Sequence, residues 1–410
     1  MKLTSIAFRN IFRNRRRSAL SIVAIAVSAI AITFFFALLE GIREDVRNNA
    51  WNYESGEVRL RHTEFDQYEY LNPVQYVVPE YRGVVERLRQ LPSVGRVSPR
   101  IRVPSAHFRG EQQIAAIGFG LDLELERQYQ DLDAIVAAGR LPEPGANEAI
   151  LGDRLARELG VQIGDMVTFM TQTRQRASNA YTVDVVGLAR FPVGALNQRA
   201  MIIPIESASR YMRMMDGASE ILVKSARGQS DNVLQEIDAM LAAGGPEQVH
   251  AVHWSEISGG YEYLEMANVV YRIVALVFFL LAATVVISTM MMVVHERTKE
   301  IGTLAALGFN DGQLVRLFFT EAAYLGAFGA LLGVVLGVAI VLPVSIVGLD
   351  FGTAIEGVDM DISTVLYPVL NVNSTVVVFF FAWFVSMAAT YPSTRRAAKL
   401  KPVEALRADH

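Results

Sequence analysis

Four apolar runs, residues 18–39, 273–294, 322–349 and 374–394, carry no Asp, Glu, Lys, Arg or His in a chain of 410 residues. A helix rises about 1.5 Å per residue, so about 20 apolar residues cross the roughly 30 Å hydrocarbon core of a bilayer. In lipid every backbone N–H and C=O must be bonded within the segment, so such runs read as spanning helices. The apolar surplus is local: the chain is 52% apolar and 20% charged, and outside the four runs it reads as soluble protein. The first run holds an Ala29-Ile30-Ala31 tripeptide of the kind found at cleavage sites. Its length exceeds the roughly 7–15 residues of a signal h-region, and it is read as a retained span.

Lysine and arginine placement orients the spans. The leader 1–17 carries Lys2, Arg9, Arg13, Arg15, Arg16 and Arg17; the connection 295–321 carries Arg297, Lys299 and Arg316. The tail 395–410 carries Arg395, Arg396, Lys399, Lys401 and Arg407, whereas the connection 350–373 has only Asp350, Glu356, Asp359 and Asp361. Both termini and the 295–321 connection are therefore expected in the cytoplasm, and segment 40–272 outside. In the leader, Leu3, Ile6, Ala7 and Ile11 share one helical face, as in a helix lying in the cytoplasmic interface against membrane lipid.

The expected fold is an integral membrane α-helical protein with four transmembrane helices and a large α+β extracytoplasmic domain between the first two. Strands are expected at 149–151, 166–170, 181–188, 220–223 and 248–253, and helices near 81–90, 154–159, 206–214 and 232–241. Asp153 is read as the cap of the 154–159 helix, and Gly160 as its end. The flanks 41–50 and 261–271 read as helical stalks continuing the first and second spans.

The chemistry this chain excludes is as informative. A net charge of −4 gives no argument for nucleic acid, and cysteine is absent. No lysine follows a glycine, so there is no P-loop. His250, His253 and Glu256 have the spacing of helical metal ligands, but on a strand residues three apart face opposite ways, so no metal site is expected. Spans without ionisable groups argue against a proton-driven antiporter or an intramembrane protease. The cytoplasmic pieces are too small for a catalytic domain, so the chain is not read as an enzyme and any work must be powered by another subunit. Gly329, Gly333 and Gly337 form a doubled G-x-x-x-G stripe for close helix packing, and Pro343 is a candidate kink.

The connection reads HERTKEIGTLAALGFNDGQLVRLFFTE. Ile301, Leu304 and Ala305 share a face of a short helix, Gly308 suits its end, and Asn310 with Gln313 has capping-box spacing. A docking peg and a tight loop both fit this pattern. The run Glu296-Arg297, Glu300-Ile301-Gly302, Leu304, Ala306-Leu307-Gly308, ending in Glu321-Ala322, resembles the core motif of FtsX-like ABC transporter permeases, the family of MacB-like exporters and LolC/LolE-type lipoprotein-releasing permeases. The resemblance extends to Gly139-Arg140-Leu141-Pro142, Glu148-Ala149-Ile150-Leu151-Gly152 and Gly160-Val161 with Gly164-Asp165. It also takes in the tail motifs Arg395-Arg396-Ala397 and Pro402, Glu404-Ala405-Leu406-Arg407.

The resemblance implies mechanotransmission at the bacterial inner membrane. Two permeases pair, as homo- or heterodimer, and separate ABC ATPase subunits dock on the cytoplasmic helix. Glu300, Ile301, Gly302, Leu304, Leu307 and Gly308 are the expected coupling residues. ATP belongs to the partner subunit, so the chain is expected to hold no cofactor, catalytic residue or metal. Cargo is a lipoprotein or another periplasmic or outer-leaflet molecule. MacB-type exporters carry their ATPase ahead of the first span, where 17 residues stand here, which favours lipoprotein release over export of another substrate. Residues 171–180, however, make a shorter hairpin than the one with which one lipoprotein-releasing permease grips its chaperone. A passive four-span receptor would leave the cytoplasmic helix without purpose, and a membrane-anchored enzyme would need a catalytic cluster that the outer segment does not display.

Overall fold

The computed structural model describes residues 3–13, 15–71, 73–226, 230–257, 260–351, 363 and 365–399. The tail motif from Pro402 to Arg407, Lys2, Lys401 and the acidic residues Glu356, Asp359 and Asp361 lie outside them. The chain divides into two compact units, one of residues 1–44, 266–351 and 365–410, the other of 45–265 and 352–364.

Among the described residues, four helices are long and apolar enough to cross a membrane: Ser18–Glu54, Asn268–Glu296, Asp311–Val347 and Val372–Ala398. The leader forms its own helix, Leu3–Arg13, ahead of the first long helix, Arg15–Asn49. Phe8 of the leader meets Tyr324 of the third long helix edge-on at 5.6 Å, and Ala7 and Ile11 are buried. Ile25, Ala29 and Ile32 of the first helix pack with Val286 and Met290 of the second, Leu325 and Ala330 of the third, and Val378 and Ala382 of the fourth. In lipid no hydrophobic drive brings helices together, so close fit has to do so. The glycine stripe provides that fit. A Cβ on Gly329 would lie 2.8 Å from Ile25 Cβ, one on Gly333 2.6 Å from the Ala26 carbonyl, and one on Gly337 3.0 Å from Thr33 Cβ. Gly326, which the sequence pattern did not single out, makes the same kind of approach to Ser386 of the fourth helix at 2.8 Å. Hydroxyls within the spans bond back to their own helices, as Thr33 does to the Ala29 carbonyl at 2.8 Å and Thr284 to that of Leu280 at 2.9 Å. At the far end of this unit, Gly41 lets the 365–371 segment approach: the Val369 N–H donates to the Ala37 carbonyl at 2.8 Å.

The second unit is built on one ten-stranded sheet. Its strands are β1 (Val58–His62), β2 (Val94–Arg109), β3 (Gln112–Leu121), β4 (Val136–Gly139) and β5 (Glu148–Gly152), followed by β6 (Met166–Gln172), β7 (Ser178–Ala189), β8 (Ala200–Pro204), β9 (Glu220–Ser225) and β10 (Val249–His253). They run β10-β1-β9-β2-β3-β8-β5-β7-β4, with β6 bonded to both β2 and β7. The pairings β2–β3, β3–β8, β8–β5, β5–β7, β7–β6 and β6–β2 therefore close into a six-stranded ring. Strict alternation on β6 buries Val167, Phe169 and Thr171 while Met166, Thr168 and Met170 stay outside. With Val103, Leu151, Val183 and Met201, Val167 and Phe169 belong to the main core, over which helices Tyr81–Arg89, Ile205–Met212 and Ser230–Ala242 pack. The β6–β7 connection is a tight turn in which the Thr173 N–H donates to the Ala177 carbonyl at 2.8 Å.

Asp153 does not cap the helix Asp153–Leu159: the N-cap is Gly152, without a side-chain bond, and Asp153 is the first helical residue. Its carboxylate faces Arg157 and Arg190, each at 3.6 Å, which suits an acid in a first helical turn. Gly160 ends this helix at φ +72°, a conformation that costs glycine little.

Candidate functional site

The connection between the second and third long helices folds into a short helix, Thr298–Ala306, followed by Gly308 at φ +95°. The third long helix then starts on a complete capping box. Its Gln313 N–H donates to Asn310 Oδ1 at 2.8 Å, and the Asn310 N–H donates to Gln313 Oε1 at 3.1 Å. Ile301, 1% exposed, anchors the short helix among Val294, Leu314, Phe318 and Ala397. Of the six residues expected to couple to a partner, Ile301 and Gly302 thus face the chain's own bundle. Leu304 is half-buried against the same cluster, Glu300 is partly exposed, and Leu307 and Gly308 are open. Leu307 is 73% exposed, unusual for a leucine, and with Lys299, Thr303 and Ala306 it makes the outward surface of this helix.

Beneath that helix lies a feature the sequence reading passed over. Arg297, the residue between the second long helix and the short one, places its guanidinium 2.5 Å from Glu321 Oε1, with side chains 2% and 3% exposed. Its guanidinium carbon also sits 5.9 Å from the Phe318 ring centroid. In the sequence both residues belong to the motif that carries the family resemblance, with Arg297 a topology marker and Glu321 the border of an apolar run, but nothing there pairs them. Their burial ties the root of the connecting helix to the third long helix.

In the β-rich unit, a second ionic arrangement holds a helix end. The first long helix passes into a π-helical turn, Ala50–Glu54. The last carbonyls of a helix lack intrahelical partners and carry partial negative charge, and here the domain supplies cations and a hydroxyl to them. Tyr129 Oη donates to the Trp51 carbonyl at 2.7 Å, and Arg100 to those of Asn52 at 2.5 Å and Tyr53 at 3.2 Å. Arg102 and Arg59 donate to the Glu54 carbonyl at 3.3 and 3.4 Å. Two buried carboxylates pair with these three guanidinium groups: Glu126 with Arg100 at 2.7 Å, and Glu220 with Arg102 at 2.7 Å and Arg59 at 3.6 Å. Burial pushes the Glu220 carboxyl up, but Arg102 and Arg59 outweigh it and hold it below the usual range. Nearby, Asp45 accepts from the Ser363 N–H at 2.8 Å and hydroxyl at 2.6 Å.

Lys224 bonds to Asn52 Oδ1 and to the Tyr129 carbonyl in this cluster. Burial, then repulsion from Arg96 and Arg100, brings its amine down from the ordinary 10.5 to about 8. Between those two values the unfolded chain binds a proton that the folded chain does not, so stability rises with pH across this window. Replacing Lys224 by methionine is expected to remove that rise. Thermal unfolding of both forms from pH 7.5 to 10.5 checks it, and a parallel rise in the variant would assign the slope elsewhere.

His250 bonds to Asp66 at 3.0 Å, whereas His253 bonds to Ser230 at 2.9 Å and Ser255 at 2.6 Å. Both lie on β10. No group of three or more His, Asp or Glu able to hold a metal occurs among the described residues.

Residues 18–240, more than half of the chain, match the family described as MacB-like periplasmic core domain, and residues 272–402 match the FtsX-like permease C-terminal family. The chain belongs to the FtsX-like, MacB-type permease family. An uncharacterised ABC transporter permease of Methanocaldococcus jannaschii is 22% identical to this permease over 99% of the chain and 98% of that protein. The lipoprotein-releasing system transmembrane protein LolC of Xylella fastidiosa is 23% identical over 95% of the chain and 93% of its own length. The macrolide export ATP-binding/permease protein MacB of Nitrobacter winogradskyi is 27% identical over 52% of the chain and 31% of its own length. This permease is thus a multi-pass inner-membrane component of an ABC transporter.

Proposed function

We propose that this permease converts ATP hydrolysis by a separate ABC ATPase subunit into movement of its outer domain, and that the work done is release of lipoproteins from the inner membrane. The observation that supports the cargo reading is the alignment with LolC over 95% of this chain and 93% of that protein, whereas MacB proteins align over only 31% to 58% of their own length. In this reading both termini and the Thr298–Ala306 helix are cytoplasmic, from the lysine and arginine asymmetry. The ATPase meets the outward surface of that helix, Glu300, Thr303 and Leu307, while Ile301 and Gly302 hold it on the bundle. A second permease completes the assembly. Leu276, Leu280, Leu281 and Met292 of the second long helix, all more than half exposed, are available to it or to lipid. Cargo does not need a polar path through the spans, whose four apolar runs carry no ionisable group. The carbonyls clamped at the end of the first long helix supply the firm grip that pulling on the outer domain requires.

Reconstitution tests the proposal. The tagged permease is purified with its ATPase and placed in proteoliposomes loaded with a radiolabelled lipoprotein. ATP is expected to move the lipoprotein into a soluble acceptor fraction, and Leu307→Asp to abolish both that release and ATPase copurification. ATP turnover without lipoprotein release, across several lipoproteins, would reject the cargo. Association unaffected by Leu307→Asp would reject the docking surface.

A further inference from the structure

The first turns of the third long helix and the last turns of the fourth enclose a groove of about 480 Å³. From the third helix it is lined by Asp311, Arg316 and Phe319, and from the fourth by Tyr391, Arg395 and Lys399. Tyr391, Arg395 and Lys399 succeed one another at every fourth residue and so form a single helical stripe. The three cations are exposed, and no ion pair to any of them occurs among the described residues. Phe319 is 36% and Tyr391 46% exposed, both large aromatic rings open to the surroundings.

The depth of this groove is set by the apolar runs. Run three begins at residue 322 and run four ends at 394. Tyr391 and Phe319 therefore sit at the hydrocarbon border. Arg395, Arg316 and Lys399 stand within about 9 Å beyond it at 1.5 Å per residue. That is the headgroup layer, where aromatic rings and basic side chains are favoured and anionic headgroups concentrate. A docked protein would have to bury three cations against matching carboxylates. A phosphate needs only the bidentate fork of an arginine and a nearby ammonium.

We propose that this groove is a binding site for the phosphate headgroup of an anionic phospholipid, with its acyl chains descending along the third and fourth long helices. Arg316, Arg395 and Lys399 hold the phosphate, Phe319 and Tyr391 flank the glycerol at the hydrocarbon border, and Asp311 is the one carboxylate among the described residues of the rim that opposes it. The site depends only on the four helices spanning the bilayer. It therefore stands or falls separately from the lipoprotein-release reading.

Native mass spectrometry of the full chain in mild detergent tests it, with dioleoyl-phosphatidylglycerol and dioleoyl-phosphatidylcholine as competing probes. The parent chain is expected to retain phosphatidylglycerol in preference. Each basic residue near a membrane surface contributes about fivefold. The triple variant Arg316→Gln, Arg395→Gln, Lys399→Gln should then lower that preference about a hundredfold, whereas Asp311→Asn should strengthen it, a gain that misfolding cannot mimic. Millimolar sn-glycerol-3-phosphate should not displace the bound lipid; if it does, the site takes a soluble phosphate and the lipid assignment fails. Equal retention of the two lipids by the parent overturns the proposal. So does a triple variant that keeps its lipid preference but loses a copurifying ATPase, which would make the groove a protein contact.

Discussion

Gly333→Leu is expected to separate the first and third long helices and to abolish a stable membrane unit. The added Cβ alone would lie 2.6 Å from both the Ala26 carbonyl and Ala29 Cβ, and 2.8 Å from Ala26 Cα. Two of these three atoms are backbone, so no side-chain rotation relieves the clash and the helices must part. Overpacking of a close-fitted site costs about 1–3 kcal/mol, and a branched side chain on a backbone-to-backbone contact belongs at or beyond the upper end. Gly312→Ala in the same helix is the control. Its Cβ would meet nothing nearer than Asn310 Oδ1 at 3.7 Å, and alanine in place of a helical glycine stabilises by about 0.5–1 kcal/mol. Fluorescence-detected size exclusion after a heating series distinguishes the two. Gly333→Leu should lose its monodisperse peak many degrees below the parent, and Gly312→Ala should match or exceed the parent. Equal melting of all three would mean that the glycine stripe does not set the distance between these helices.

Removing one partner of the Arg297–Glu321 pair should have the other large effect. Arg297→Met leaves a carboxylate that is 2% exposed with its cation gone, and breaking a buried pair in this way costs about 3–5 kcal/mol. The double variant Arg297→Met, Glu321→Leu removes both charges and is expected to recover most of that loss, because well-packed apolar replacements of buried pairs are often neutral. The pair joins the root of the Thr298–Ala306 helix to the third long helix, and the Ile301 N–H donates to the Arg297 carbonyl at 2.9 Å. The double variant should therefore melt like the parent yet couple ATP hydrolysis to transport less well. If the single variant unfolds no earlier than the parent, the pair contributes nothing to the fold.

The two ionic arrangements have one physical theme. Each places guanidinium groups where a long helix ends or breaks, at Arg297 and at the carbonyls of Asn52 to Glu54. At the second, the open carbonyls of a helix terminus gain partners from the guanidinium groups of Arg100, Arg102 and Arg59.

What could be read from the residues alone follows from how local each constraint is. Hydrocarbon demands that a spanning segment satisfy itself, so the four apolar runs declare the four long helices without reference to anything else. Alternation on β6 and β7, the glycine at the end of Asp153–Leu159 and the Asn310–Gln313 box are likewise short-range patterns, and each stands where it was expected. The Thr298–Ala306 helix was also legible, as was its apolar face of Ile301, Leu304 and Ala305, but not that this face packs on the chain's own bundle and leaves Leu307 open. Burial of charge was not legible for a related reason. Val58–His62 alternates apolar and basic residues like a strand with one wet face, yet all five are buried, because β1 lies between β9 and β10 and its arginines reach carboxylates and helix-end carbonyls. The closing of β6 onto β2, the grip on the π-helical turn and the meeting of Arg297 with Glu321 all join residues distant in the chain. No local propensity encodes such meetings. They exist only once packing has brought the partners together and excluded the water that would otherwise have solvated each of them.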